Sequence, residues 1–363
     1  MLLLQPTPPL GALRQSFDSG EICAAQSNYM KRITVATVNA SGRQAASFTR
    51  VAAAVGWKVR AHMQDCISIV AQDISSLDNV TVIEGFLGNQ AVIDKLFSEP
   101  VDVAFINTTH WGDEFAIGKA IVNAAIRAGV KHLIYSSMPD HSSFGYGWKA
   151  LPLWANKFKV EKYIQSTGIP ATFIYCGTYH NNFTSLPYPL FNMALQDDES
   201  FEWQAPFHPD VPIPWLDAEH DVGPVVLQLF KDGPARWGGQ KIPIAFEYLT
   251  PRQVCAAFSR ALNRPVEYVQ GPIDIKIRIP QGYRDHLAIL EEVLGDKQAP
   301  YFGPDLEPNC TAIAIELWEG NRSMEEYARE VFPVEEQANG QKWMEEGDEP
   351  SDDVPLDFTA LRF

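Results

Sequence analysis

An α/β chain built around a doubly wound parallel sheet is predicted by three observations. Short apolar strands alternate with helices from Ile33 to Tyr175, the first strand runs through a glycine turn directly into a helix, and the alternation stops after Tyr179, where prolines and aromatics take over. Strands alternating with helices imply a parallel sheet covered on both faces, because each right-handed crossover lays its helix over a neighbouring strand. A smaller α+β C-terminal domain is expected beside it.

The elements follow in order. Strand 33–38 leads to helix 43–55, strands 57–61 and 80–84, helix 90–97, strand 101–106, helix 114–128, strand 131–136, helix 154–167 and strand 171–175. Between 183 and 221, Pro187, Pro189, Pro206, Pro209, Pro212 and Pro214 are interleaved with Phe183, Phe191, Trp203 and Trp215. Proline favours extended and turn geometry while aromatics supply buried area, so an irregular lid over the carboxyl edge of the sheet is expected. A helix from about Val222 to Phe230, capped by Asp221 ahead of Pro224, returns to the main domain. Strands 241–246 and 266–270 bracket a helix from Pro251 to Leu262, for which Thr250 is the cap and Pro251 the first position. Helices at 282–295, 312–319 and 323–331 complete the pattern.

This divides the chain into a flexible extension at 1–30, a dinucleotide-binding domain at 31–182 plus about 222–262, a smaller substrate-like or partner domain at about 183–221 and 263–344, and an acidic tail at 345–363. The opening Met-Leu-Leu-Leu is broken by Pro6, Pro8 and Pro9 with no preceding basic residue, unlike a secretory leader. No apolar run approaches the roughly 18 residues that span a bilayer, so no membrane role is expected. Five cysteines (Cys23, Cys66, Cys176, Cys255 and Cys310), odd in number and without metal-ligand spacing, suit the reduced thiols of cytosol or nucleus and predict no metal. With 29 Lys plus Arg against 45 Asp plus Glu, the net charge of -16 repels phosphate backbones and argues against direct nucleic-acid binding. It serves solubility alone or a basic partner.

The first strand-helix junction carries the strongest chemical signal. Glycines at such a junction let the backbone turn sharply, approach a pyrophosphate and pack the helix on the sheet, while N-terminal helix NH groups hold phosphate oxygens. Here the positions read Asn39-x-x-Gly42-x-x-Ala45, with Ala40, Ser41, Arg43 and Gln44 between and beside them. Asn tolerates a left-handed turn and Ala permits close helix packing, so both replacements keep the role. The second strand ends Arg60-Ala61-His62, where an acidic residue usually receives the ribose hydroxyls of NAD. Arg60 or Arg43 is instead suited to a 2'-phosphate, which admits NADP as well as NAD; a solvated arginine is the alternative. Glu84-Gly85 and Asn107-Thr108-Thr109 end the next two strands, either as ribose and adenine contacts or as ordinary turns.

Short-chain dehydrogenases with this entrance normally place Tyr-x-x-x-Lys on a helix, putting phenol and ammonium on one face. No Tyr here stands four residues before a Lys; Leu153 precedes Lys157 instead. Lys157 is then free for a nicotinamide ribose or for an ion pair with Glu161, but Leu153 has no proton to give. Tyr146 stands three before Lys149, His141 and Ser137 lie near a strand end, and Tyr179-His180-Asn181-Asn182 follows another strand toward the nicotinamide half. The Asp217-Ala-Glu-His-Asp221 run lacks the helical His pair of a metal site and leaves Asp217 and Glu219 as exposed carboxylates.

Long runs such as Val38-Asn-Ala-Ser-Gly-Arg-Gln-Ala-Ala-Ser47, Tyr135-Ser-Ser-Met-Pro-Asp-His141, Asn181-Asn-Phe-Thr-Ser-Leu-Pro-Tyr-Pro-Leu-Phe191 and Pro214-Trp-Leu-Asp-Ala-Glu-His-Asp-Val-Gly-Pro224 carry a resemblance over about residues 31–344. The chain resembles the NmrA-like proteins. What the resemblance implies is an atypical, extended short-chain dehydrogenase fold of Rossmann type that binds NAD and NADP, oxidised forms preferred, without turning over a substrate. It also implies a repressor of nitrogen-catabolic transcription, nuclear and cytoplasmic, that binds a GATA-type zinc-finger activator. Its cofactor positions carry over to Asn39 through Gln44, Arg60 to His62, Glu84-Gly85, Asn107 to Thr109, Lys157 and Tyr179 to Asn182. An acidic protein can compete for the basic surface a finger presents to DNA. Contacts are expected on the side of Trp215, Asp217, Glu219 and Asp221, around 215–264 and the acidic C-terminal helices. The alternatives are an NAD(P)H-dependent oxidoreductase resembling isoflavone or quinone reductases that relies on Lys157, and a scaffold with a vestigial nucleotide site.

Overall fold

A computed structural model describes residues 33–110 and 112–341, so the extension and the acidic tail expected at 1–30 and 345–363 lie outside the described residues. The strands are β1 (Thr34–Val38), β2 (Lys58–Met63), β3 (Val80–Glu84), β4 (Val103–Ile106), β5 (His132–Ser137), β6 (Ala171–Cys176), β7 (Thr178–Tyr179), β8 (Met193–Leu195), β9 (Phe201–Ala205), β10 (Ile213–Leu216), β11 (Lys241–Ile244), β12 (Glu247–Leu249) and β13 (Val266–Gln270). The α-helices are α1 (Arg43–Ala54), α2 (Ile69–Ser75), α3 (Gln90–Leu96), α4 (Glu114–Arg127), α5 (Pro152–Thr167), α6 (Ala218–Asp232), α7 (Pro234–Trp237), α8 (Pro251–Leu262), α9 (Gln281–Leu290), α10 (Cys310–Leu317), α11 (Met324–Glu330) and α12 (Phe332–Ala338).

Seven strands form one parallel sheet in the order β11-β6-β5-β4-β1-β2-β3. The chain winds outward from β1 through β2 to β3, then returns to β4 on the other side of β1. That reversal opens a crevice beyond the carboxyl ends of β1 and β4, where ligands bind in open sheets. Alternate side chains serve opposite faces, so Val35 joins the core under α1 and α6 while Ala36 and Val38 join the one under α3, α4 and α5. The helices α1 and α6 pack backbone to backbone at Gly223, whose NH donates to Ser47 Oγ at 2.9 Å; a Cβ there would lie 2.5 Å from the Ser47 carbonyl oxygen.

A third core, rich in rings, fills the C-terminal half. Phe183, Trp203, Trp215 and Phe258 meet with centroids 5.0–6.1 Å apart in edge-on and stacked pairs. The segment expected as an irregular lid is therefore more regular: β8 and β9 form a sheet with β13, and β10 joins β7 and β12. Pro187, Pro189, Pro206, Pro209 and Pro212 fall between these strands, and only Pro214 lies within one, β10.

Helix α8, assigned to the dinucleotide domain, turns Val254, Cys255 and Phe258 into the ring-rich core, whereas Ala314 and Leu317 of α10 pack on the core under α6 and β11. The helix expected from Val222 starts at Ala218, and its cap is Asp217, whose carboxylate accepts from the NH groups of Glu219 and His220. Asp221 instead reaches back to the Asp217 NH at 3.1 Å. Helix α2, capped by Ser68, was not anticipated because only Ala71 and Ile74 of its seven residues are buried. Beyond α9 the chain continues as a π-helical segment, Glu291–Asp296, where a regular helix was expected. No helix among the described residues is long and apolar enough to cross a membrane.

Candidate functional site

Asn39 ends β1 in the left-handed conformation, φ 58°, and spans the crevice: its Nδ2 donates to the Asn107 carbonyl at the end of β4, 2.6 Å away. The turn closes when the Gly42 NH donates to the Asn39 carbonyl at 2.9 Å. Gly42 is the N-cap of α1, extended at φ −80° and ψ 150°, with no side-chain cap and no acidic residue in the first turn. The helix thus presents its orphan NH groups and the positive end of its dipole uncompensated, a ready anion site. Ala45 in the third position is fully buried, as close helix packing requires.

His62 holds this turn from behind. Its Nδ1 accepts from the Asn39 NH at 3.2 Å, its Nε2 faces the Gly85 carbonyl at 2.8 Å, and its own carbonyl accepts from the Ala40 NH at 2.7 Å. The two ring contacts select the tautomer protonated on Nε2, and burial lowers its pKa to about 4. A neutral imidazole therefore ties the ends of β1, β2 and β3 together. Alternation alone could not reveal this, since a buried histidine at a strand end reads like any other.

Asn39, Gly42, Arg43, Gln44, Asn107, Thr108, Thr109, Lys157, Tyr179 and Asn182 line one cavity over the crevice. Lys157 Nζ donates to the Thr108 carbonyl and lies 3.3 Å from Asn107 Oδ1 and 3.2 Å from Glu114 Oε1. Glu114, 3% exposed, also accepts from Thr108 Oγ1 at 2.6 Å, and that hydroxyl meets Tyr135 OH at 2.8 Å. Burial first, then Glu114, hold the Tyr135 phenol well above its usual range. The alternative of a Lys157–Glu161 pair is not formed: Glu161 accepts from Ser137 and Tyr175 and pairs with Lys241 at 3.0 Å. Gln44 donates to Tyr179 OH, while its buried Oε1 has no partner among the described residues. Leu153 lines the same cavity one turn before Lys157.

The remaining candidates fall elsewhere. Arg60 is not at the cavity: it is 5% exposed, donates to the Leu96 carbonyl at 2.7 Å and pairs with Glu99 at 2.7 Å, compensating the carboxyl end of α3. Arg43 does reach the cavity, but its guanidinium is held by Glu219 at 2.6 Å. Ala40 and Ala61 are buried in the core under α1, Ser41 is half-buried in the turn, and Glu84 accepts from the Cys66 NH outside. His180 is fully buried against Trp215 and Tyr327, with its pKa lowered to about 3 by burial, and Asn181 accepts from the Ala218 NH at 2.9 Å. Among the other donors considered, His141 is bonded to the Pro300 carbonyl and Tyr146 is exposed, stacked on Trp148 at 4.6 Å.

Three of the four proposed partner contacts are internal. Trp215, Asp217 and Asp221 have no exposed surface. Asp217 pairs with Arg322 at 2.8 Å; burial favours its protonated form, but the hydrogen bond from Arg322 and the other contacts bring its pKa below the usual carboxylate value. Only Glu219 reaches solvent, and it faces Arg43. Among the described residues no group of three His, Cys, Asp or Glu is placed to hold a metal. Residues not anticipated from sequence include Glu114, Met138, Trp154, Cys176 and His286, all on the cavity wall. They come from four separate elements and the loop after β5, so no local pattern joins them.

A family model described as the NmrA-like family matches residues 30–328. The chain is 53% identical over 346 residues to the nitrogen metabolite repression protein nmr of Neurospora crassa, covering 86% of this chain and 71% of that one. It is likewise 53% identical over 347 residues to the nitrogen metabolite repression protein nmrA of Emericella nidulans, covering 86% and 98%. A crystal structure of NmrA, a negative transcriptional regulator, in complex with NAD aligns with a TM-score of 0.84 and 56% identity over 86% of this chain and 99% of that one. A second, in complex with NADP, has a TM-score of 0.83 at the same identity, covering 86% and 99%. With most of its length matched in both sequence and fold, the chain belongs to the NmrA-like family.

Proposed function

We propose that this protein is a non-catalytic corepressor of nitrogen-catabolic genes that binds NAD or NADP, preferring the oxidised forms, and acts in nucleus and cytoplasm by binding a GATA-type zinc-finger activator. The observation that carries the reading is Leu153 beside Lys157 in a cavity fed by an uncapped helix N-terminus. The site keeps anion-binding groups, and no tyrosine stands one turn before Lys157. Its residues fit a dinucleotide: Gly42 leaves room for close backbone approach, the first NH groups of α1 suit a pyrophosphate, and the unpartnered Gln44 Oε1 awaits a donor. Lys157, Asn107, Tyr179 and Asn182 would hold the nicotinamide half. The carboxyl end of β2 carries no acidic residue, which admits a 2'-phosphate. The bound group would supply recognition alone, since the position one turn before Lys157 offers hydrocarbon and not a phenol.

The relatives named as nitrogen metabolite repression proteins support the regulatory half. The net charge of -16 suits a basic finger, which the acidic surface would hold in competition with DNA. Two calorimetric titrations test this reading. Purified protein should bind NAD and NADP more tightly than NADH and NADPH, and a basic GATA finger at moderate salt. Failure to bind any dinucleotide refutes the cofactor half; failure to bind the finger refutes the partner half.

A further inference from the structure

We propose that a second cavity, on the far side of Phe207, Leu294 and Tyr301 from the crevice, binds a small organic amine, a primary ammonium group on an apolar body, through the buried carboxylate of Glu307. This goes beyond the corepressor reading, because Glu307 belongs to the loop ahead of α10 and takes no part in the dinucleotide site.

The cavity has a volume of about 390 Å³ and lies between the chain leading into β10, Tyr248 of β12 and the segment 298–308. That volume suits a small molecule. Phe207, Leu294 and Tyr301 line both this cavity and the one over the crevice, and so stand between them. Pro212, Pro300, Pro304 and Pro308, with the rings of Tyr248 and Tyr301, supply apolar wall.

Glu307 is the one carboxylate in this lining among the described residues, and it is only 9% exposed. Its Oε1 accepts from Tyr248 OH at 2.9 Å and its Oε2 from the Phe302 NH at 2.7 Å. Acceptance at both oxygens is the pattern of an ionised carboxylate. Yet both donors are neutral, and among the described residues no lysine or arginine lines the cavity or pairs with Glu307. His208, which also lines it, accepts through Nδ1 from the Asp210 NH at 3.2 Å and is therefore neutral. Burial accordingly pushes the Glu307 pKa up. A buried charge without a counter-ion is costly, and an arriving ammonium supplies one together with charge-assisted hydrogen bonds to the remaining lone pairs. Tyrosine rings attract the same cation.

The site is preformed. Phe302 and Cys310, on either side of Glu307, insert into the core under α3, α4 and α5, and the Pro300 carbonyl is bonded to His141 at 2.9 Å. Binding therefore spends little on ordering the loop.

Phenethylamine, protonated at neutral pH, and phenethyl alcohol, its neutral analogue, test the idea by calorimetry on the intact chain. The amine should bind roughly tenfold more tightly than the alcohol, and Glu307→Gln should bring the two within about twofold. A role confined to holding the loop would leave that preference unmoved. Thr311→Trp, which fills the space from the first turn of α10, should abolish binding of both. Saturating NADP should leave the amine affinity within about threefold, as separate sites require. Equal affinity for both probes in the wild-type protein, a preference retained in Glu307→Gln, unaltered binding in Thr311→Trp or displacement of the amine by NADP overturns the proposal. Tighter binding of Nα-acetyl-lysine amide than of phenethylamine would give the cavity to a protein side chain and overturns it too. NADP and finger binding are read separately, so the corepressor reading stands or falls on its own.

Discussion

Arg43, the first residue of α1, donates to Glu219 on α6 at 2.6 Å and lies 3.5 Å from Glu335 on α12. The turn beside the crevice is thereby linked by charge to two helices outside it. Glu335 also accepts from Tyr327 OH at 2.7 Å; burial raises its pKa, and Arg43 partly opposes the rise. Any phosphate entering the cavity competes with these carboxylates for one guanidinium.

Glu219→Gln should therefore strengthen NADP binding by roughly threefold to tenfold and NAD binding by less, because the extra phosphate gains more from a released arginine. Titration of both nucleotides against both proteins measures it. Unchanged or weaker binding would show that Arg43 does not meet phosphate.

Gly42→Asp separates folding from binding. An aspartate at an uncapped N-cap can accept from the first helical NH groups, so the melting temperature should not fall much, although its Cβ would sit 3.3 Å from the Asn39 carbonyl. The same carboxylate repels phosphates, and dinucleotide affinity should drop by roughly a hundredfold. Undiminished affinity in a folded variant would remove the pyrophosphate from this turn.

Acid should unfold the protein early. His62 and His286 titrate near 4 and His180 near 3 when folded, chiefly through burial, against about 6.5 unfolded. The unfolded chain takes up these protons first, so the stability from neutral imidazoles is complete above about pH 6.5 and is lost as pH falls toward 4. Each histidine contributes a slope of up to about 1.4 kcal/mol per pH unit in that window. Urea midpoints at pH 7.5 and 5 should differ strongly, and less so in His62→Asn; equal slopes would mean that His62 is protonated in the folded protein.

Asp217→Ala should cost about 3 kcal/mol, since it removes a helix cap and strands Arg322 beside a buried position. Glu219→Ala, at a half-exposed pair, should change stability by less than about 1 kcal/mol. Chemical denaturation distinguishes them; similar small losses would mean that Asp217 is not the buried partner its geometry shows.

Leu153→Tyr should not restore turnover. Lys157 Nζ is paired with Glu114 at 3.2 Å, whose carboxylate offsets the pull of the ammonium on a new phenol. NADPH oxidation with a panel of carbonyl compounds should remain at background in wild type and variant, and clear activity in either would favour the oxidoreductase alternative.

Much of the molecule was legible in the chain itself. Alternation of short apolar strands with helices, broken only where Ile69–Ser75 was not anticipated, announced the parallel sheet, and Asn39, Gly42 and Ala45 marked its crevice, because backbone conformation there is decided by residues close in sequence. The expected lid was less accurate: proline content signals extended chain, but whether that chain pairs into β8, β9 and β10 depends on partners as distant as β13. Arg60 lies away from the cavity for a related reason. A strand-end arginine has the right charge for a 2'-phosphate, yet the carboxyl end of α3 claims it, and that meeting is set by how the crossover lies on the sheet.

By itself, then, the sequence determined the layered α/β architecture, the glycine turn and the absence of a tyrosine ahead of Lys157, all of which are local in the chain. Only the tertiary structure decided which charges are free to act. It buried Asp217 and Asp221, gave Arg43 to Glu219, and brought Trp154, His286 and Tyr301 to one cavity wall. Burial and long-range pairing follow from the way whole helices pack, and no short stretch of residues records that packing.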